Sequence, residues 1–243
     1  MNPALGGREK SAGAMDAAGF VLAGGQSSRM GRGKALISFA GRPLIVHALD
    51  TLRAAGLTAF VAGSSTELSS GRLDSLPPVV ADSEPGLGPL SGICAALSST
   101  RHRWAVFLPV DLPLLPASLI AYLLRHAEIT GQAITVASVS GFTQTFPAVL
   151  DCAALPALQS ELSAGHLGCF KAFKAAAESL GRRVSVVPVE LLAQAGHVAH
   201  PSGLPACRWF LNVNSPRDLE HAESLSGQPA RPPLPARQLH SVP

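Results

Sequence analysis

The sequence alternates between short apolar runs and longer stretches in which apolar residues recur at helical spacing. Strands are predicted at 19–23, 57–63, 104–110, 133–139, 145–150, 184–189 and 208–214. Helices are predicted at 43–56, 88–99, 117–128 and 170–180, with a short final helix from Pro216. Strands and helices that alternate along a chain are typical of a sheet covered by helices. We therefore predict an α/β fold with a mainly parallel central sheet.

The composition sets the size of the folded part. Of the 243 residues, 47% are apolar and 14% are charged, so the chain can bury a substantial core. We predict a single domain over residues 17–224. Both ends are rich in Gly, Ala, Pro and Ser, which do not form a core. Residues 1–16 are predicted as a flexible N-terminal extension and residues 225–243 as a Pro-rich flexible tail, for which a short polyproline ligand is the alternative.

Several classes of protein fit this composition poorly. No apolar run is long enough to span a membrane, and the N-terminus lacks the basic start and apolar centre of a signal peptide, so we expect a cytoplasmic protein with no membrane partner. The four cysteines lie far apart without a C-x-x-C pair, which predicts reduced, mostly buried thiols. A net charge of +3 with 5% aromatic residues does not favour nucleic-acid binding.

The loop after the first predicted strand carries the strongest chemical signal. The stretch "VLAGGQSSRMGRGKAL" contains four glycines and three basic residues, which are Gly24, Gly25, Gly31, Gly33, Arg29, Arg32 and Lys34. Glycines let backbone N–H groups approach an anion, and Arg and Lys add full positive charge. Neither the P-loop nor the G-x-G-x-x-G pattern fits. We predict a polyphosphate cradle; the alternative is a surface loop that happens to be basic.

An aspartate follows the apolar strand predicted at 104–110. Asp111 lies in "FLPVDLPLL", where Pro113 and Pro116 end the regular structure. An aspartate in this position is either a metal ligand or a helix cap. Beside a polyphosphate loop the metal is favoured, because Mg²⁺ combines one or two protein carboxylates with phosphate oxygens. Asp111 is therefore predicted to bind Mg²⁺.

Two further stretches leave two interpretations open. Asp82 follows a short apolar run, and Gly86 and Gly88 precede a helix. Either the N-terminus of that helix faces an anion, or Asp82 or Ser83 simply caps the helix. Asn212 and Asn214 alternate on the last predicted strand and would point to one face. Asn214 is either the cap of the final helix or an amide ligand to metal or substrate.

These four elements, in this order, resemble the molybdenum cofactor guanylyltransferases of the nucleotidyltransferase superfamily. The motifs are L-A-G-G-x-S-x-R-M-G-x-x-K, D-x-x-x-G-x-G-P-L-x-G-I, D-x-P-x-L and N-x-N-[ST]-P-x-D-L, over about residues 20–219. The resemblance implies a three-layer Rossmann-like fold of the glycosyltransferase-A type. It also implies transfer of GMP from GTP to the terminal phosphate of molybdenum-molybdopterin, with Mg²⁺ as cofactor and pyrophosphate as the second product.

The resemblance also implies a role for each matching residue. Guanine and ribose would be held by the backbone of Leu22, Ala23 and Gly24. The phosphates would be wrapped by Gly25, Arg29 and Gly31 and neutralised by Lys34. Asp82 would contact the nucleotide, Asp111 would hold Mg²⁺, and Asn212 and Asn214 would lie on the acceptor side. Arg29, Lys34 and Asp111 are the predicted catalytic residues.

The sequence departs from the family pattern in two places. Gly33 stands where the family often has Asp, and Gly63 or Ser64 stands near an Asn that in many members helps to recognise guanine. A cytidylyltransferase for the same pterin, a sugar-phosphate nucleotidyltransferase and a non-catalytic nucleotide-binding subunit are the alternatives. We expect a monomer that makes transient contacts with cofactor-inserting proteins and molybdoenzymes.

Overall fold

The computed structural model describes residues 16–23, 33–63, 77–82 and 86–227. The loop residues 24–32 and nearly all of the two predicted terminal extensions lie outside these ranges, and the predicted domain boundaries stay predictions. No helix in the described ranges is long and apolar enough to cross a lipid bilayer.

Seven strands form one sheet within the described residues. In chain order the strands are β1 Ala17–Leu22, β2 Ser38–Phe39, β3 Arg42–Pro43, β4 Thr58–Ala62, β5 Val79–Val80, β6 Trp104–Pro109, β7 Ile134–Val139, β8 Phe142–Asp151 and β9 Val184–Pro188. The sheet has the order β5-β4-β1-β6-β8-β7-β9, and β2 and β3 form a separate small hairpin. Only β8 runs against its neighbours in the large sheet. The predicted mainly parallel sheet is confirmed.

Helices cover both faces of the sheet. They are α1 Leu44–Ala54, α2 Pro89–Ser99, α3 Ala117–Thr130, α4 Leu155–Ser163, α5 Cys169–Ser179, α6 Val189–Gln194 and α7 Pro216–Leu225. One buried cluster joins one face of the sheet to α1, α3, α6 and α7. A second cluster joins the other face to α2, α4 and α5. The fold is thus three-layered, as expected.

The central elements form where sequence signals agree. All six residues of β1 are buried, which explains why its run is continuously apolar rather than alternating. Helix α3 begins after Pro116 and ends at Gly131, whose φ of 62° is the left-handed conformation that closes many helices. Strong local signals therefore fix the part of the sheet that carries the candidate site.

The predicted last strand at 208–214 is wrong. Residues 206–208 form a 3-10 helix, and the chain from 211 to 214 is in no strand. β6 already pairs with β1 on one side and β8 on the other, so no free strand edge remains beside it. The apolar residues Trp209, Phe210 and Val213 are buried in the core instead. The apolar residues of this stretch are therefore explained by burial of a connecting segment rather than by a strand.

The cysteines are less buried than predicted. All four are free thiols, but only Cys94 is buried, whereas Cys207 is exposed. Burial of the sulfur is the main cause that raises the pKa of Cys94, Cys152 and Cys169 to about 11. These three thiols are therefore protonated and weakly nucleophilic at neutral pH.

Candidate active site

The candidate site lies at the carboxyl ends of β1, β4 and β6. The Val110 N–H donates to the Leu22 carbonyl (3.3 Å), and the Ala23 N–H donates to the Ala62 carbonyl (3.0 Å). Leu22 and Ala23 are both buried. These bonds extend the sheet by one residue beyond β1 and hold the start of the glycine loop. The carboxyl ends of parallel strands are where α/β folds bind ligands.

Lys34 is the residue that joins the site together. It is the first residue of a 3-10 helix, Lys34–Leu36, which follows the glycine loop. Its Nζ lies 2.7 Å from Oδ2 of Asp111 and 2.5 Å from Oδ1 of Asn214. The side chains of Lys34 and Asp111 are only 17% and 21% exposed, so their attraction is screened less than that of a surface pair. Three distant parts of the chain thus meet at one ammonium group.

Asp111 has one oxygen without a partner. Its Oδ1 atom is buried and accepts no hydrogen bond in the part of the chain that the structure describes. A buried acceptor without a partner is costly, so it suits a donor or cation brought by a ligand. The described residues contain no group of three or more His, Cys, Asp or Glu that could hold a metal. A Mg²⁺ ion fits here nonetheless, since phosphate oxygens can complete its ligands.

Asn214 is positioned by the start of α7. The Ser215 hydroxyl accepts from the Asp218 N–H (3.2 Å), and Oδ2 of Asp218 accepts from the Asn214 N–H (3.0 Å). Ser215, not Asn214, is the cap of this helix, so the capping interpretation of Asn214 is wrong. A side-chain hydrogen bond from Ser215 to the Asp218 carboxyl, then the bond from the Asn214 N–H and last the charge of Lys34 lower the pKa of Asp218. The amide of Asn214 is left to contact Lys34.

Asn212 does not join this group. Its side chain is exposed, as is that of Asn214, while Val213 between them is fully buried. The Val213 N–H donates to the Asp111 carbonyl (2.9 Å), which ties the segment to the end of β6. The two asparagines therefore lie on the same side of the segment as expected, although no strand holds them, and only Asn214 contacts Lys34.

Asp82 lies just beyond β5 and contacts α2. The hydroxyl of Ser91, which is fully buried in the first turn of α2, donates to Oδ1 of Asp82. The cap residue of α2 is Gly88, so the simple capping role proposed for Asp82 is wrong. Gly86 and Gly88 have φ angles of 96° and 81°, which other residues rarely adopt. These glycines shape the backbone immediately before the start of α2.

The remaining predicted site residues cannot be placed. Gly24, Gly25, Arg29, Gly31 and Arg32 lie outside the described residues. Their roles, and those of the residues that the structure places, stay predictions.

Known proteins resemble this chain over most of its sequence. The family model of the MobA-like NTP transferase domain matches residues 19–183. The chain belongs to this family. A molybdenum cofactor guanylyltransferase of Sinorhizobium fredii is 33% identical over 210 residues, which are 84% of this chain and 88% of that protein. One of Pseudomonas putida is 36% identical over 155 residues, which are 63% of this chain and 80% of that protein.

Solved structures of MobA-like and related proteins share the fold. Molybdopterin-guanine dinucleotide biosynthesis protein A of Archaeoglobus fulgidus aligns with a TM-score of 0.67 at 22% identity, over 86% of this chain and 98% of that one. A cytidylyltransferase of Thermus thermophilus aligns with a TM-score of 0.56 at 16% identity, over 85% and 97%. At such low identity these likenesses establish the fold alone.

The MobA-like match includes Lys34 and Asp111 but ends before Asn214 and Asp218. Sequence reasoning gave no role to Ser91 or Asp218. Ser215 and Asp218 carry the [ST]-x-x-[DE] spacing of a capping box, a signal that could have identified Asp218. No comparable local signal marks Ser91, because its partner Asp82 belongs to another element.

Proposed function

We propose that the chain transfers GMP from GTP to the terminal phosphate of molybdenum-molybdopterin. Pyrophosphate leaves, and the guanine dinucleotide form of the molybdenum cofactor is formed. The observation that carries the proposal is the meeting of Lys34, Asp111 and Asn214 beside the end of β1 in a MobA-like chain. Relatives named molybdenum cofactor guanylyltransferase, of which the chain covers 80% and 88%, support the choice of substrates.

The nucleotide would lie along the carboxyl ends of the parallel strands. The backbone of Leu22, Ala23 and Gly24 would hold guanine and ribose, and Asp82 would contact the same nucleotide. Gly25, Arg29 and Gly31 would surround the phosphates, where backbone N–H groups and a guanidinium bind phosphate oxygens well. This arrangement brings the α-phosphate of GTP towards Lys34 and Asp111.

The transfer itself needs positioning and charge neutralisation. A terminal phosphate oxygen of the pterin attacks the α-phosphorus of GTP, a new P–O bond forms, and the bond to pyrophosphate breaks. That oxygen is already ionised at neutral pH, so no general base is required. The Lys34 ammonium would bind the phosphate oxygens on which negative charge increases. The amide of Asn214 would orient Lys34 and face the acceptor, together with Asn212.

Asp111 is the proposed protein ligand of Mg²⁺. Its Oδ1 atom accepts no hydrogen bond among the described residues, and the amide oxygen of Asn214 lies near the same ammonium. Carboxylate and amide oxygens are suitable ligands for Mg²⁺. When bound, Mg²⁺ neutralises phosphate charge and stabilises the leaving pyrophosphate. The transient protein partners, the monomeric state and the cytoplasmic location stay predictions.

The alternatives have weaker support. The cytidylyltransferase of Thermus thermophilus is 16% identical to this chain, a level at which only the fold is informative. The intact pair of Lys34 and Asp111 at the strand ends favours an enzyme over a non-catalytic nucleotide-binding subunit. Guanine rather than cytosine is therefore the base that we propose, with Gly63 or Ser64 near the position of the family asparagine.

Thermal unfolding with each of GTP, CTP, ATP and UTP, with and without Mg²⁺, tests the proposal. A ligand that binds only the folded protein adds about 2.7 kcal/mol at a hundred times its Kd. For a domain of this size that raises Tm by about 5 °C or more. Of the four nucleotides, we expect only GTP to raise Tm in this way. The rise with GTP should be larger when Mg²⁺ is present.

Each other outcome has a definite meaning. A larger rise with CTP than with GTP would overturn the choice of guanine. No rise with any nucleotide would contradict a nucleotide site at the glycine loop. A separate assay of pyrophosphate release distinguishes transfer from simple GTP binding. If the chain is a transferase, GTP should release pyrophosphate only when molybdopterin is added.

A further inference from the structure

The segment that bears Lys34 is a small hydrogen-bonded unit. The Leu36 N–H donates to the Gly33 carbonyl (3.0 Å), and the Ile37 N–H donates to the Lys34 carbonyl (3.2 Å). The Leu44 N–H donates back to the Ile37 carbonyl (2.9 Å), which closes the β2–β3 hairpin. A shift of the hairpin therefore moves the backbone of Lys34.

The turn of this hairpin contains an alanine in an unfavourable conformation. Ala40 has a φ of 48° and is followed by Gly41 at 82°. A left-handed conformation is uncommon for a residue with a Cβ atom and persists where surrounding contacts impose it. The Ala40 N–H donates to Oε1 of Glu223 (3.0 Å), a carboxylate of α7 that is 183 positions further along the chain. Such a bond to an ionised acceptor is stronger than one between neutral groups.

Helix α7 also reaches the side chain of Lys34. Asp218 near its start holds the backbone of Asn214, whose amide oxygen contacts Nζ of Lys34. Ala222 lies between these two attachments and is fully buried in the same core cluster as Ala35, the residue after Lys34. α7 is thus anchored in the core and is linked to the Lys34 segment at two places, through Asn214 just before its start and through its own Glu223.

We propose that Glu223 is a positioning residue for nucleotide binding. By holding the Ala40 turn, Glu223 fixes the hairpin and hence the point from which the Lys34 side chain reaches towards the phosphates. Glu223 acts through the hairpin and does not itself touch the substrate. It lies beyond residue 183, where the match to the family model ends. The inference rests on the proposed function, because it assumes that Lys34 binds GTP phosphates.

Three variants of α7 test this role by calorimetric titration with GTP. Glu223→Ala removes the acceptor and is expected to raise the Kd for GTP about three- to tenfold. This is less than the full effect of losing a charge-assisted hydrogen bond, because Glu223 acts on the phosphate site only through the hairpin. Glu223→Gln keeps an oxygen that can accept from Ala40 and is expected to recover most of the affinity. Glu220→Ala changes an exposed carboxylate on the same helix and is the matched control, expected to stay within about twofold of the wild type.

A double-mutant cycle with Lys34→Met separates positioning from general damage. If Glu223 acts through Lys34, Glu223→Ala has no further effect on GTP affinity once Lys34 is replaced. An equal loss in both backgrounds would overturn the proposal, as would an unchanged Kd in Glu223→Ala. Thermal unfolding of every variant verifies that the protein titrated is folded.

The same titrations distinguish failure of this inference from failure of the proposed function. If wild-type protein does not bind GTP, or if Lys34→Met leaves the Kd unchanged, the proposed nucleotide site is wrong. If Lys34→Met weakens GTP binding but Glu223→Ala does not, only the positioning role of Glu223 is wrong.

Discussion

Two aspartates at opposite ends of β6 have very different surroundings. Asp151, on β8, pairs with Trp104, the first residue of β6, whereas Asp111 lies two residues beyond Pro109, the last residue of β6. Oδ1 of Asp151 accepts from the Ala153 N–H (3.0 Å), and its Oδ2 lies 2.8 Å from the Arg182 guanidinium. The Asp151 side chain is 7% exposed. Both of its oxygens are satisfied by the protein itself.

Asp111 has only half of such a set. Lys34 pairs with Oδ2, while the buried Oδ1 meets no donor among the residues that the structure describes. Buried polar atoms in proteins are nearly always satisfied, so an exception calls for an explanation. We infer from this difference that a carboxylate whose two oxygens both have protein partners stabilises the fold. A carboxylate with one unpartnered oxygen is available to a ligand.

The largest effect that separates the two aspartates is expected for Asp111→Ala. Loss of the proposed metal ligand should lower turnover about a hundredfold or more, equivalent to about 2.7 kcal/mol in the barrier. Steady-state assays of pyrophosphate release measure this change, and circular dichroism verifies the fold. Near-normal turnover in the folded variant would remove Asp111 from the mechanism. It would also contradict the proposed difference in role between Asp111 and Asp151.

Lys34→Ala should have a similar effect on turnover. Without the ammonium, negative charge on the phosphate oxygens is not neutralised, and a loss of about a hundredfold or more is expected. The Kd for GTP should rise as well, which titration can measure separately. A folded Lys34→Ala protein that turns over normally would show that the Lys34–Asp111 pair serves structure, as the Asp151–Arg182 pair does.

Asp151→Ala should have the opposite pattern. Removing this carboxylate breaks a buried ion pair, but the Arg182 side chain is 37% exposed and can be solvated by water. We therefore expect the free energy of unfolding to fall by about 2 kcal/mol. Urea denaturation measures the loss. The Kd for GTP should not change, and a clear change would contradict the division between the two ends of β6.

The smallest effect concerns Asp218 and pH. Because hydrogen bonds to Ser215 and Asn214 lower the pKa of this carboxyl from 3.8, its ionised form stabilises the folded protein. That contribution is complete above pH 3.8 and is lost as the pH falls through the lower pKa of the folded state. Asp218→Asn should make Tm less sensitive to acid as the pH falls below 3.8. An identical acid dependence in both proteins would contradict this assignment.

The parallel part of the fold could be predicted because local signals there are strong. β1 and β6 are continuous apolar runs, and α3 has Pro116 before it and Gly131 after it. The direction of β8 was not predicted. Only residues 140 and 141 separate it from β7, a connection too short for a parallel crossover. The shortness of that connection could therefore have predicted that β8 runs antiparallel to β7.

The candidate site could be predicted where one residue carries a chemical signal in its own motif. Lys34, Asp111 and Asn214 were chosen in this way, and the structure brings them together. Glu223 was not chosen, since a glutamate on an amphipathic helix has no local mark. Its partner is a backbone N–H far away in the sequence. Contacts of this kind depend on tertiary packing, which one sequence does not display.

The contact between Lys34 and Asn214 also bears on how the protein is made. The two residues are 180 positions apart. At about 5–20 residues per second, a ribosome adds that length in on the order of ten seconds or more. Throughout that interval Lys34 lacks its amide partner, because residue 214 has not yet been synthesised. Lys34 therefore acquires this contact only after the described strands, which all precede Asn214 in the chain, have been synthesised.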